Sequence, residues 1–220
     1  MQILFEDNHL IAINKPHGQL VQADHGGDLS LLDEVKAFIK ARDQKLGNVF
    51  IGLLHRLDRP VGGVVLFAKT SKAASRISDQ FRRHSVQKIY WAVVEVGDGA
   101  RALTHGEVVQ WLVKDESTNV VTAFDHEVAK SQKAELSYQI LEARGDHALM
   151  EISPKTGRSH QIRVAMSSLG CPIVGDLKYG SKQPLQHDIA LFARSLSFDH
   201  PITGERMAVA AEPSLKIFSK

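Results

Sequence analysis

The chain has 220 residues, 43% hydrophobic and 24% charged, with a formal net charge of +2. This is ordinary globular composition, long enough to bury a core without staples. The charge is too mild to announce nucleic-acid binding by itself, so the placement of the charges has to carry that argument. Cys171 is the only cysteine, which excludes an intrachain disulfide and fits a reducing compartment. The N-terminus lacks a basic stretch followed by a long apolar run, and no apolar run approaches the roughly 18 residues of a membrane span. The expectation is a soluble, cytoplasmic protein.

Residues 2–5 and 9–14 read as short strands around an Asp7-Asn8 turn, and 17–28 as a polar loop. Leu31, Leu32, Val35, Phe38 and Ile39 fall at helical spacing, with Ser30 and Asp33 as a capping box and Gly47 just beyond the end. Residues 64–68 read as a buried strand. A second helix is predicted over 71–84, with Ala74, Ile77 and Phe81 on one side and Lys72, Arg76 and Arg83 on the other. Between Lys69 and Lys88 there are six Lys/Arg and one acid, Asp79. That face is either a solvated surface or a cationic rail for phosphates. Residues 89–94 are strongly β-prone, 101–146 read loosely as strands and turns, and 147–152 as a strand. A helix is predicted over 158–169, stopped by Gly170. Residues 191–193 suggest a late strand, and 200–205 a hairpin turn. Strands outnumber helices without strict βαβ alternation. The predicted fold is therefore α+β, a mixed and mostly antiparallel sheet flanked by helices. No linker or composition shift marks a boundary, so one domain over 1–220 is expected.

Walker, dinucleotide, kinase, nucleophile-elbow and zinc signatures are all missing, and metal: none is the expectation for the site. Two polar clusters remain. In the first, His55, Arg56, Asp58 and Arg59 lie among Leu53, Leu54 and Leu57, followed by Pro60, Gly62 and Gly63. Proline and paired glycines set a fixed turn with a closely approaching backbone. On spacing alone, Asp58 reads more readily as a turn-capping ion pair than as a catalyst. The second cluster, Lys155 to Arg163, puts three cations with Ser159, His160 and Gln161 at a predicted helix start, where free N–H groups favour phosphate. Arg163 borders the apolar stripe, so it should be partly buried and need an acid. Asp58 is the candidate.

These residues resemble the RluA-type pseudouridine synthases. His55-Arg56-Leu57-Asp58 through Gly63 is similar to the family's H-R-L-D-x-x-x-x-G, and Lys88 to Val94 to its K-x-Y-x-A-x-V. Thr156 to Val164 resembles T-G-R-x-H-Q-I-R-V, and Gly170 to Gly180 resembles G-x-P-I-x-G-D-x-x-Y-G. The start, Glu6 to Gly18, and the tail, His200 to Glu205, also fit. The resemblance implies a catalytic domain over 1–220 with an RNA-binding cleft. It implies site-specific isomerisation of uridine to pseudouridine in rRNA or tRNA, with no cofactor. It makes Asp58 the nucleophile, Tyr90 the aromatic that stacks on the flipped base, and Arg163 the basic partner of the aspartate. Arg56 would enter the RNA stack, and Ile162 and Leu191 would floor the pocket. His55, Arg59, Lys155, Arg158 and His160, with Lys72, Arg76 and Arg83 on the rail, would contact substrate. RNA is the expected partner of a monomer. Two departures stand out. Ala165 occupies a position where many members have His. The S4 RNA-binding domain of some members has no counterpart ahead of Glu6, so substrate choice would rest on the catalytic domain. An RNA-binding or chaperone-like module without turnover is the competing reading. A hydrolase would need a second carboxylate beside Asp58, which the sequence does not nominate.

Overall fold

A computed structural model describes residues 1–23, 27–97, 103–186 and 188–218. Residues 24–26 of the predicted loop and 101–102 of the loosely read stretch lie outside the described residues. The chain divides into two compact units. The first comprises Met1–Gln87 and Ala193–Pro213, the second Lys88–Phe192 and Ser214–Lys220. Among the described residues no helix is long and apolar enough to cross a membrane.

In the first unit, β1 (Gln2–Glu6) pairs antiparallel with β2 (Leu10–Lys15), and β2 with β4 (Gly62–Ala68). The short β3 (Gly52–Leu53) also lies antiparallel to β4. Asp7 shapes the first turn, its Oδ1 accepting from the backbone N–H groups of His9 (2.8 Å) and Leu10 (2.6 Å). All seven residues of β4 are buried, which explains why it reads as a continuous apolar run rather than an alternating one. Helix α1 (Leu31–Arg42) buries Leu31, Val35 and Ile39, and its N-cap Ser30 accepts from Asp33 N–H as the sequence predicts. It stops at Asp43, short of Gly47. Helix α2 (Ser71–Arg82) starts at N-cap Thr70, whose hydroxyl accepts from Ala73 N–H at 3.2 Å. It ends two residues before the expected 84, where Arg83 caps it and His84 turns left-handed at φ 56°. Strand β10 (Leu191–Asp199) begins in the second unit and runs into the first. There it pairs antiparallel with β11 (Arg206–Ala210) around the predicted His200–Glu205 turn.

The second unit contains β5 (Gln87–Glu95), β6 (His105–Asp115), β7 (Val120–Phe124), β8 (Gln132–Arg144) and β9 (His147–Pro154). Their order is β5-β9-β8-β6-β7, each neighbour antiparallel. The described part of the loosely read stretch is thus mainly three strands, the long β6 and β8 and the short β7 that forms a hairpin with β6. From Ala134 to Tyr138, β8 alternates buried and part-buried residues, the period-2 signature of a strand with one covered face. Helix α3 (Gln161–Ser168) packs Val164 with Leu112, Val121, Ala134 and Tyr179.

Candidate active site

Asp58 sits on a turn, its carbonyl accepting from Val61 N–H at 3.0 Å across Pro60. Leu57 and Val61 are buried on either side, while Asp58 is half-buried. The turn is held from below by Lys15, which is fully buried. Its Nζ donates to the carbonyls of Pro16 (3.0 Å), Gln19 (2.7 Å) and Arg59 (3.1 Å). A buried ammonium is tolerated when its three donors all find acceptors. Here those acceptors fix the residue next to Asp58. Arg59 adds a bond from Nε to Gly18 carbonyl (3.1 Å) and an exposed ion pair with Asp28 (2.9 Å). Gly63 has φ +119°, and a Cβ there would lie 2.3 Å from the Ala193 carbonyl oxygen. Only glycine permits that strand-to-strand approach. His55 accepts Leu66 N–H on Nε2 at 3.0 Å and lies 5.2 Å from the Phe81 ring, which ties it to the scaffold. Arg56 is exposed.

In the second unit, Tyr90 is half-buried on β5 opposite Ile152. Lys88, two residues earlier on the same face, donates to the Thr156 carbonyl at 2.7 Å. Burial pushes its amine down from 10.5 to about 8. Between pH 8 and 10.5 the unfolded chain therefore keeps a proton that the folded chain gives up, so stability rises with pH across that window. Below pH 8 both states carry the proton and the cost of burying the charge is fully present. Stability of the native chain relative to Lys88→Met should be flat below pH 8 and rise by about 1–3 kcal/mol between pH 8 and 10.5, read by denaturant titration. A constant difference would remove the buried-amine account.

The segment 156–160 is a loop, not the first turn of the helix predicted from 158. Gln161 Oε1 accepts from the Thr156 hydroxyl (2.7 Å) and from Arg158 N–H (3.1 Å), and His160 is left-handed at φ 51°. These local bonds compete with helix formation. His160 is buried, and its Nδ1 lies 2.7 Å from the Tyr179 hydroxyl, which itself accepts from Val121 N–H at 2.9 Å. Lys155 pairs with Glu107 (3.4 Å), and Arg158 donates to the Lys133 carbonyl (3.1 Å); both are exposed. Ile162, Ala165 and Leu191 are buried.

Arg163 is buried, as its border position implies. The acid that takes two of its guanidinium nitrogens is Asp176: Nε to Oδ2 at 2.7 Å and Nη2 to Oδ1 at 2.8 Å. Its guanidinium also lies 5.0 Å from the Tyr179 ring centroid. The sequence nominates Asp58 for this pairing; Asp176 supplies a bidentate partner from within the second unit. Lys15, Lys88, Asp176 and Tyr179 are the residues that motif reading leaves without roles. Each lies inside a quoted block, but its role depends on which carbonyl or carboxylate meets it in space.

The expected catalytic trio is divided between the units, with Asp58 on the first and Tyr90 and Arg163 on the second. A profile of the family described as RNA pseudouridylate synthase matches residues 9–168, which include all three. The chain belongs to this family. It is 35% identical to a tRNA pseudouridine synthase C of Haemophilus ducreyi, with 96% of this chain and 90% of that protein covered. The tRNA pseudouridine synthase C of Pectobacterium carotovorum is 32% identical, and there the chain spans 58% of the relative's length and 96% of its own. A ribosomal large subunit pseudouridine synthase D of Zymomonas mobilis is 29% identical, with 96% and 69% covered. Among solved structures, human RNA pseudouridylate synthase domain containing 4 superposes with a TM-score of 0.79 at 27% identity, covering 97% of this chain and 89% of that one.

Proposed function

We propose that the chain isomerises uridine to pseudouridine at defined positions of tRNA or rRNA, as a cytoplasmic monomer, with Asp58 as the nucleophile. The observation that carries this reading is the Asp58 turn itself. A half-buried carboxylate stands on a backbone clamped by a buried lysine, inside the residues that match the family. Preorganisation of this kind is what a covalent step demands.

The reaction breaks the N1–C1′ bond, turns the base over and forms C5–C1′. The C5 proton is lost and N1 gains one, so electrons balance without oxidant, reductant or cofactor. Asp58 adds to the base or to the sugar carbon, and either route makes one covalent bond to substrate and later breaks it. The target nucleotide must leave its stack at a cost of about a few kcal/mol. In this reading Arg56 fills the vacated stack and Tyr90 takes the base, returning about 1–3 kcal/mol by stacking. Arg163, already oriented by Asp176, would serve as the cationic partner of Asp58, and Ile162 and Leu191 would form the apolar floor. Tyr90→Phe should keep activity within a few-fold, whereas Tyr90→Ala should lose about 10- to 100-fold in kcat/KM. Equal losses would replace stacking by a role for the hydroxyl.

The test of the reaction is nucleotide-resolution pseudouridine mapping of tRNA and large-subunit rRNA transcripts incubated with purified protein. New pseudouridine at a defined uridine is expected. Tight, salt-sensitive binding with no conversion of any RNA would leave an RNA-binding module. Release of free uracil would indicate a hydrolase.

A further inference from the structure

Within the first unit, α2 and the turn after β10 enclose a groove of about 490 Å³ that does not contain Asp58. Arg76, Arg82 and Arg83 line one wall, and Asp199, His200 and Pro201 the other. The walls are locked together. Gln80 is buried, donates Nε2 to the Asp199 carbonyl (2.7 Å) and accepts Asp199 N–H (2.8 Å). Arg76 donates to the Pro201 carbonyl. His200 is fixed by Asp7 (2.8 Å) on Nε2 and accepts Thr203 N–H (3.1 Å) on Nδ1.

The acids in the groove organise its cations rather than cancel them. Asp79 receives Arg82 on one oxygen and Arg83 on the other, the latter at 2.7 Å. Asp199 is met by Arg206 at 3.2 Å. Among the described residues that line the groove, three arginines thus face two carboxylates, and Arg206 meets one of those carboxylates from outside the lining. Each of these guanidiniums keeps N–H groups beyond those bonds, and planar guanidinium is suited to phosphate oxygens. Arg76 and Arg83 are spaced by about 10 Å of helix, enough to meet more than one phosphate of a strand. Lys72, which the sequence groups with them, is exposed but does not line the groove. The same helix touches the Asp58 segment, since Phe81 lies against His55.

We propose that this groove is a second RNA-contact site that grips the phosphodiester backbone away from the reacting uridine. It rests on the reading that the substrate is RNA, and it assigns affinity rather than chemistry to α2 and the His200–Gly204 turn. Affinity for a folded tRNA transcript and its salt dependence would be measured for Arg76→Gln and for the double variant Arg82→Gln/Arg83→Gln. A charge-matched double variant on α1, Lys36→Gln/Lys40→Gln, is the comparison. The groove double variant should weaken binding about tenfold and reduce the slope of log Kd against log salt by about 1 to 2. The α1 variant should move neither by more than about twofold. Native affinity and slope in the groove variants, or an equal loss in the α1 variant, would overturn the proposal. A native protein that binds RNA but converts none would overturn the isomerase reading instead, while the affinity comparison would still decide the groove.

Discussion

Replacement of Asp58 by Asn is expected to remove pseudouridine formation by at least about 10⁴-fold, while RNA affinity stays within about threefold of native. Asn keeps the size of the side chain and removes its nucleophilic charge. The turn is not expected to collapse, because its closing bond runs from the Asp58 backbone carbonyl to Val61 N–H and its clamp runs from Lys15 to the Arg59 carbonyl. Both survive a side-chain change. Single-turnover mapping with enzyme in excess is the measurement, since it separates chemistry from product release. Turnover retained in the purified variant would end the nucleophile assignment.

Asp176→Asn should be costly in a different way. It halves a bidentate ion pair whose partners are 8% and 1% exposed. Breaking such a pair typically costs about 3–5 kcal/mol, because the remaining buried charge loses a compensating carboxylate in low dielectric. In a chain of this size that is roughly a 10 °C fall in Tm. The informative variant is the double one, Arg163→Met/Asp176→Leu. Well-packed apolar replacements of a buried pair are often near neutral, so much of the lost stability should return. If Arg163 serves Asp58, activity should not return with it. Recovery of both would make the pair purely structural; recovery of neither would point to the Tyr179 contact as the larger element.

The family and much of the fold were legible from the sequence, and the parts that were not share a physical cause. Asp58, Tyr90 and Arg163 stand in ordered blocks, and the apolar runs of β2 and β4 and the N-cap of α1 follow from local rules. Lys15 was invisible as a structural element. A lysine ending an apolar strand reads as the strand's polar exit, and only the return of Arg59 shows that it is buried. The start of α3 was misplaced because Thr156 and Gln161 bond to each other before the helix begins. The boundary between the two compact units left no compositional trace. The chain changes unit three times, and two of these changes, at Gln87/Lys88 and Phe192/Ala193, fall inside strands rather than in linkers.

The contact of Gly63 with Ala193 also sets an order of events during synthesis. β4 emerges from the ribosome early, and its neighbour in the first unit, β10, is made only after the whole of Lys88–Phe192. At about 5–20 residues per second, that delay is on the order of ten seconds. Throughout it, the apolar strand beside the Asp58 turn has one edge without its final neighbour, an invitation to mispairing. A message truncated before codon 193 would then yield a protein that lacks Ala193–Pro213 of the Asp58 unit and Ser214 onward of the other, a species for chaperones and proteases rather than for RNA.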